Sequence, residues 1–343
     1  MDYFKRVQKW TNTGFWINNV TEQQAHLAIE AGCTGCTQNP SYPEKILKSA
    51  EMGEEAALIM REIMKDEPDD EEVLRELQIR LIGKIAKIFL PMFEQTKGDA
   101  GYVTIQASPL HEDYETILKC AKRHQLEGKN IMMKIPATAA GLQAIEKLVM
   151  QGFPVLATEV MSVSQAVDVC EIYKRAEEAL GKEPVLYFAH IAGIFDEEQQ
   201  AQVKENGIDI APDALYQAGI LVAKKIAQIM EERGYHAKMV SGGARGLHHF
   251  TEMVGSNASV TINWAGTADK LLEADGVVID RFSAKPMPGI VDELLHKLPD
   301  FPKAYQENRL TPEEYETFPG VVRFRTSFEN SWRKALAIIA ENR

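Results

Sequence analysis

Short apolar segments alternate with longer amphipathic segments along most of this chain. The segments with the character of buried strands cover residues 14–20, 32–40, 102–108, 131–135, 155–160, 185–191, 237–242 and 258–263. Helical patterns separate most of them, and residues 141–150, for example, place Leu142, Ile145 and Leu148 on one face. Strands that alternate with helices indicate a parallel sheet, and eight of them predict an α/β fold closed into a (β/α)8 TIM barrel.

Two longer segments extend the predicted barrel without dividing it. Residues 44–95 are helix-rich and are expected to insert extra helices between strands 2 and 3. The region after Ala274 is predicted to be a helical C-terminal tail, with a closing helix near residues 328–342. Because no linker or low-complexity block interrupts the chain, residues 1–343 are predicted to form a single barrel domain.

The composition restricts the classes of partner. Of 343 residues, 45% are apolar and 26% are charged, as in soluble globular proteins. Fifty acidic residues against 38 basic ones give a net charge of −12, which argues against a nucleic-acid partner but not against a small anionic substrate. The chain start has no signal-peptide core, and no apolar run is long enough to span a membrane. We therefore expect a cytoplasmic protein with no membrane partner.

The four cysteines are too few for a disulfide scaffold in a chain of this length. Cys33 and Cys36 form a CxxC pair, which we interpret as small packing residues of a buried strand; the alternative is a redox or metal pair. His248 and His249 are expected on a helix surface rather than as metal ligands. No metal and no other cofactor is therefore predicted.

A polar residue lies near the end of each predicted strand, where TIM barrels form their active sites. In chain order these residues are Asn18, Asn39, Gln106, Lys134, Thr158, His190, Ser241 and Asn263, with Arg245 shortly after Ser241. Each alone is compatible with a polar core residue. Eight that converge on one mouth predict a catalytic or binding site.

Lys134 carries the most specific chemistry in this set. It lies between Met133 and Ile135, and an apolar site lowers the pKa of an amine because desolvation disfavours the ammonium form. A neutral amine can attack a ketone or aldehyde and form a Schiff base. The alternative is a strand-end lysine whose amine reaches solvent.

Three segments resemble those of the transaldolases and the related fructose-6-phosphate aldolases. Residues 130–141 (NIMMKIPATAAG) are similar to the family's Schiff-base strand, with Lys134 at the catalytic lysine. Residues 34–41 (TGCTQNPS) place Asn39 on the active-site asparagine, and residues 153–162 (FPVLATEVMS) place Thr158 on the catalytic threonine. Together with the order of the strands, the resemblance covers residues 14–270.

The resemblance implies a defined reaction. The lysine attacks the C2 ketone of a small ketose or ketose phosphate, the C3–C4 bond breaks, and a dihydroxyacetone unit stays on the lysine. Transaldolases pass this unit to an acceptor aldehyde, whereas the aldolases release it to water. A role in carbohydrate metabolism, in the pentose phosphate pathway, is implied as well.

The acid/base residues depart from the family pattern. Asn18 stands where transaldolases have an aspartate, and an amide cannot take the C4 hydroxyl proton. Gln106 replaces the third-strand glutamate, as in the fructose-6-phosphate aldolase subgroup, which is helped by a sixth-strand tyrosine. His190 stands at that tyrosine, and we interpret it as the acid/base, with a backbone-bonded core histidine as the alternative. Glu159 is a second candidate, although strand alternation aims it away from the face of Thr158.

The phosphate-binding pattern is also incomplete. Family members hold the phosphate with two arginines and a serine, but only Arg245 is present here, because Gly193 stands at the other arginine. The N–H groups of the SGGARG turn and the helix after it favour an anion, unless the turn is a plain strand–helix connection. The predicted substrate-binding residues are Ser241, Gly242, Arg245 and Asn263. One arginine suggests an unphosphorylated sugar, a carboxylate or a sulfonate.

Three functions stay open from the sequence. The first is a transaldolase-like lyase or transferase that acts on a small sugar or sugar phosphate. The second keeps the imine but ends in isomerisation or dehydration, because Asn18 removes the usual base. The third is a catalytically silent barrel that binds a sugar or another protein; Lys134 argues against it and the two amides argue for it. The oligomeric state is left open, a homo-oligomer included.

Overall fold

The strands form one closed sheet in a computed structural model that describes residues 1–287 and 289–343. They are β1 (Gly14–Asn18), β2 (Gly35–Thr37), β3 (Tyr102–Gln106), β4 (Ile131–Pro136), β5 (Val155–Val160), β6 (Leu186–His190), β7 (Lys238–Ser241) and β8 (Ser259–Asn263). Each strand pairs in parallel with the next along the chain, and β8 pairs with β1. The predicted (β/α)8 barrel is confirmed.

Helices surround this sheet and extend it at two places. They are α1 (Tyr3–Trp10), α2 (Glu22–Glu30), α3 (Tyr42–Leu47), α4 (Gly53–Ile63), α5 (Asp70–Gln95), α6 (Tyr114–His124), α7 (Ala139–Met150), α8 (Val163–Leu180), α9 (Ala192–Asn206), α10 (Pro212–Leu215), α11 (Ala218–Arg233), α12 (His248–Thr251), α13 (Asp269–Ala274), α14 (Ile290–Lys297), α15 (Phe301–Tyr305), α16 (Pro312–Tyr315) and α17 (Pro319–Glu341). Three of them, α3 to α5, lie between β2 and β3 as predicted. Within the described ranges, no helix has the length and apolar character needed to cross a membrane.

Local chemistry sets several of these boundaries. The strand β2 is shorter than predicted, because Gly32 has a φ of +102° and Pro40 cannot donate a ladder hydrogen bond. The helix α5 begins after Asp69, whose side chain accepts the N–H groups of Glu71 at 2.8 Å and Glu72 at 3.2 Å. These side-chain and backbone effects fix the ends of elements whose interiors follow the apolar pattern.

Aromatic side chains pack together inside the barrel. The ring of Trp16 lies 5.7 Å from that of Tyr187, which lies 6.5 Å from that of Tyr102. Gly35 makes room for the indole, because a Cβ atom at that position would lie 2.3 Å from Trp16. The ammonium of Lys238 lies 5.3 Å from the centre of the Tyr187 ring. This aromatic layer fills the barrel interior below the strand ends.

The C-terminal helix α17 crosses the carboxyl end of the barrel and packs on α3, α5 and α9. It begins earlier than predicted, because Pro319 suits the first turn of a helix. Trp332 docks it on α5: the indole is fully buried, and its N–H lies 3.1 and 3.0 Å from the two carboxylate oxygens of Glu71. Phe324 and Phe328 thereby face the barrel mouth.

We expect Trp332→Ala to lower the free energy of unfolding by about 3–5 kcal/mol, because it empties a fully buried aromatic site and removes the indole donor from Glu71. Urea unfolding measures this loss. Trp10→Ala is the matched control, since Trp10 is 68% exposed and its removal should leave stability unchanged. Equal stability of the two variants would mean that Trp332 does not hold α17 in place.

Candidate active site

A cavity of about 420 Å³ opens where the carboxyl ends of the strands meet α17. A volume of this size fits a small ligand. The predicted site residues that line it are Asn18, Asn39, Lys134, Gly242, Arg245 and Asn263. Other residues, which the sequence did not identify as site residues, also line the cavity. They include Asn19, Ser41 and Lys45 near α3 and Phe324, Ser327 and Phe328 on α17. The structure thus brings most of the predicted residues to one mouth.

Lys134 points into this mouth from β4 and is only 6% exposed. Its Nζ lies 5.2 Å from the centre of the Phe328 ring and 5.6 Å from that of Phe324. Burial lowers the pKa of Lys134 to about 8, although the charges of Glu159 and Glu112 oppose this effect. A larger fraction of this amine is therefore neutral near pH 7 than of an exposed lysine.

Uncharged side chains line the β1 and β8 side of the mouth. The Asn18 Nδ2 donates to Asn263 Oδ1 at 2.9 Å, and its Oδ1 accepts the Thr37 hydroxyl at 3.0 Å. The Thr37 hydroxyl also lies 2.6 Å from that of Thr261. An amide in this network can bind and orient a substrate hydroxyl but has no proton to exchange near neutral pH.

A second polar group surrounds Asn39. The Asn19 Nδ2 donates to Asn39 Oδ1 and to Ser41 Oγ, both at 3.0 Å. Lys45 reaches the same group from α3 and donates to the backbone carbonyl of Asn19, and burial lowers the pKa of its amine. The four-residue spacing from Ser41 to Lys45 is the sequence signal that places this second lysine beside Asn39.

Two glutamates cluster beside Lys134, next to the cavity but not among the residues that line it. The Gln106 Nε2 donates weakly to Glu159 Oε1 at 3.4 Å, and Glu159 is 1% exposed. Glu112, in the loop after β3, lies close enough that the charge of Glu159 adds to the effect of burial in raising the pKa of Glu112. The expectation that Glu159 faces away from the site is wrong. Thr158 is fully buried, and its hydroxyl has no hydrogen-bond partner among the described residues.

The position of His190 contradicts its predicted acid/base role. The ring lies outside the barrel pore, with Nδ1 3.0 Å from the Val160 carbonyl and Nε2 3.1 Å from the Gly219 carbonyl. Burial lowers the pKa of His190 to about 4, so the ring is neutral near pH 7. Because side chains alternate along a strand, Ala189 lines the mouth instead. The alternative interpretation, a core histidine bonded to the backbone, describes this residue.

Three expectations for the Gly-rich turn and the helix after it also fail. Ser241 pairs in register with His190, so its side chain likewise turns away from the mouth. The helix after the turn, α12, has only four residues and offers little dipole to an anion. His249, expected on the surface, is buried with its Nε2 2.9 Å from Asp196 Oδ2, and its Nδ1 accepts the backbone N–H of Arg245 at 3.4 Å. The Asp196–His249 pair therefore braces the turn from behind.

Arg245 lies at the rim of the cavity, where it already forms an ion pair with a carboxylate. Its Nε donates to Glu197 Oε1 at 2.6 Å, and its Nη1 donates to the Gly243 carbonyl at 3.1 Å. A Cβ atom on Gly193 would lie 2.0 Å from that same carbonyl oxygen. The Gly-rich turn thus occupies the space that a second arginine at position 193 would need.

We expect His190→Gln to retain reaction with carbonyl compounds at Lys134, because the ring faces away from the amine; loss of a general acid/base would cost about 100-fold or more. The variant should unfold at a lower temperature, since it disrupts a buried hydrogen bond to a backbone carbonyl. Adduct formation at one pH, compared with the parent, measures the effect. A loss of about 100-fold in the folded variant would restore the acid/base assignment.

Known proteins resemble this chain over much of its length. A model of the family described as Transaldolase/Fructose-6-phosphate aldolase matches residues 15–310. A transaldolase of Thiobacillus denitrificans is 30% identical over 177 residues, which cover 49% of this chain and 47% of the relative. Transaldolases of Helicobacter pylori (strain Shi470) and Nostoc punctiforme (transaldolase 2) are 28% and 26% identical, over 63% and 74% of this chain and 68% and 70% of their own lengths. The chain spans about half the length of the first of these relatives. Because the family match covers most of its residues, the chain belongs to the transaldolase/fructose-6-phosphate aldolase family.

Proposed function

We propose that this chain forms a Schiff base between Lys134 and a small ketose or ketose phosphate, and that it cleaves or transfers a dihydroxyacetone-type unit. The observation that carries the proposal is the buried amine of Lys134, which faces a ligand-sized cavity beneath two aromatic rings. The relatives named above are all called transaldolases, which supports the same class of chemistry.

The residues of the mouth have different roles in the proposed reaction. The neutral amine of Lys134 attacks the carbonyl carbon, and water leaves. The resulting iminium accepts the electrons of the C3–C4 bond as that bond breaks and the C4 hydroxyl group gives its proton to a base, which leaves an enamine on Lys134 and an aldehyde. The amides of Asn18 and Asn263 offer donors and acceptors to the substrate hydroxyl groups. Phe324 and Phe328 keep water from one side of the amine. A role in the pentose phosphate pathway and a cytoplasmic location stay predictions.

Borohydride reduction of a mixture of the protein and dihydroxyacetone should attach one three-carbon unit to Lys134, detected by mass spectrometry of its peptides. We expect the rate of adduct formation to rise with pH on the acid side of its profile, well below the usual range of a lysine, because the neutral amine is the attacking form and burial lowers its pKa to about 8. A lysine with the usual pKa of 10.5 would show this rise only at higher pH. Lys134→Met should abolish the adduct.

Lys45→Met is the matched control for this measurement. Lys45 lines the same cavity, and burial lowers its pKa too, so a loss of labelling on its removal would show that the wrong lysine was assigned. Dihydroxyacetone, fructose and fructose 6-phosphate would be tested in parallel. If none of them labels Lys134, the catalytically silent sugar-binding barrel becomes the better description.

We further propose that the substrate end at Arg245 is unphosphorylated. Arg245 is the predicted phosphate ligand, but its guanidinium is paired with Glu197, and the negative charge of that carboxylate opposes a phosphate at the same rim. The space for a second arginine is filled by the Gly-rich turn. A hydroxyl group fits such a neutralised rim better than a dianion does.

Glu197→Gln should lower the KM of fructose 6-phosphate and leave that of fructose nearly unchanged, because it frees the guanidinium and removes the opposing charge. The pair is partly exposed, so the gain should be worth no more than about 1 kcal/mol. Steady-state kinetics with both sugars measure it. Glu198→Gln is the matched control, since Glu198 pairs with Arg323 instead. Equal changes in KM for the two sugars would contradict the proposal.

A further inference from the structure

The backbone at Glu159 leaves the regular geometry of a strand. Its φ is +60°, a left-handed conformation that residues other than glycine rarely adopt, and the register between β5 and β6 shifts between Ala157 and Val160. Such a conformation is strained, and conformations of this kind cluster at functional sites. The shift interrupts the alternation of side chains, which is why Glu159 turns toward the Lys134 side of the mouth.

The carboxylate of Glu159 is buried and only half satisfied. Its Oε1 accepts the weak hydrogen bond from Gln106, whereas its Oε2 has no hydrogen-bond partner in the part of the chain that the structure describes. A buried carboxylate oxygen without a donor is costly, so this atom is free to take a proton or to accept a hydroxyl group of a bound molecule.

The charges of groups from three neighbouring parts of the chain act on this carboxyl group or on Glu112 beside it. Lys134 on β4, Glu112 after β3, and Arg325 and Glu329 on α17 all act on it or on its neighbour. Burial raises the pKa of Glu159, and the positive charges of Lys134 and Arg325 partly oppose that effect. The group can therefore hold a proton near neutral pH, as a general acid must.

We propose that Glu159 is the general acid/base of Schiff-base formation at Lys134. This inference rests on the proposed function, because it assigns a proton donor to that reaction. The other candidates are less suitable: Asn18 and Gln106 are amides without a titratable proton, and both nitrogens of His190 face backbone carbonyls outside the pore. Glu159 combines a titratable group, an oxygen atom without a partner among the described residues, and a charge that acts on the amine of Lys134.

The assigned step is the loss of water from the carbinolamine that Lys134 forms with a ketone. The carboxylic acid of Glu159 gives its proton to the carbinolamine hydroxyl group as the C–O bond breaks. Water leaves, and the nitrogen lone pair forms the C=N bond of the iminium. Glu159 is left as a carboxylate that balances the positive charge beside it. On hydrolysis, a water molecule attacks the iminium carbon and returns a proton to Glu159.

Timed borohydride trapping with dihydroxyacetone tests this step, because no C–C bond breaks in it. Glu159→Gln keeps the shape of the side chain and its contact with Gln106, so it should slow adduct formation by about 100-fold or more if the acid is lost. Glu146→Gln, which affects an exposed ion pair with Arg175, should leave the rate unchanged.

The direction of the effect separates proton transfer from simple charge balance. The charge of Glu159 raises the pKa of Lys134, so a purely electrostatic role predicts more neutral amine, and faster trapping, in Glu159→Gln. An unchanged or faster rate in the variant would overturn the proposal. The proposal would also be overturned if Glu112→Gln trapped slowly while Glu159→Gln trapped at the normal rate, because the proton would then come from Glu112.

The pH profile of the parent protein gives a second test, whose decisive outcome does not depend on whether a variant folds. Trapping in the parent should pass through a maximum near neutral pH and fall on both sides of it, because the reactive form combines neutral Lys134 with protonated Glu159. Glu159→Gln should keep only the rise with pH. A parent profile without the alkaline fall would overturn the proposal. If the parent itself forms no adduct at Lys134, the proposed function fails. If the parent and Glu159→Gln both trap at the normal rate, the proposed function stands and only the role of Glu159 fails.

Discussion

The desolvation of one amine is the constraint on which this site depends. An ammonium ion inside a barrel loses its hydration, so Lys134 must be partly neutral, paired with carboxylates, or placed against aromatic faces. The structure shows the first and the third condition, because burial lowers the pKa of Lys134 and its Nζ lies 5.2 and 5.6 Å from the centres of the Phe328 and Phe324 rings, while Glu159 and Glu112 act on it through their charges without an ion pair. The rings come from α17, which the buried indole of Trp332 fastens to α5. Two additions to the basic barrel, the insertion after β2 and the C-terminal helix, thus act jointly on the environment of a residue in β4.

The mouth is polar on both sides of this lysine, but in different ways. Amides and hydroxyl groups from β1, β2 and β8 form a neutral network around Asn18 and Asn39 that offers directional hydrogen bonds. The other side carries two carboxyl groups, the buried Glu159 of β5 and Glu112 in the loop after β3. A polyhydroxylated ligand would therefore meet a side that orients it and a side that can exchange protons with it.

Periodicity in the sequence sufficed for the barrel, the inserted helices and the position of Lys134, because these features depend on local apolar patterns. Periodicity failed where a difference of one residue determines whether a side chain points into the barrel or away from it. His190 and Ser241 are each adjacent to the residue that lines the mouth, Ala189 and Gly242, and a shift of one position reverses the direction of a side chain. Phe328 lies far along the chain from Lys134, so no local pattern joins them.

The left-handed backbone at Glu159 has a consequence for how such barrels diverge. A left-handed residue, together with one extra residue of β5 opposite β6, turns a side chain from the outer layer of the barrel toward the catalytic lysine. Position-by-position comparison then records two acids lost, at Asn18 and Gln106, although the mouth still contains carboxyl groups. A barrel can in this way take its acid from a different strand while the lysine stays in place. The groups that lie around the lysine therefore describe the chemistry of the site better than the residue at each aligned position does.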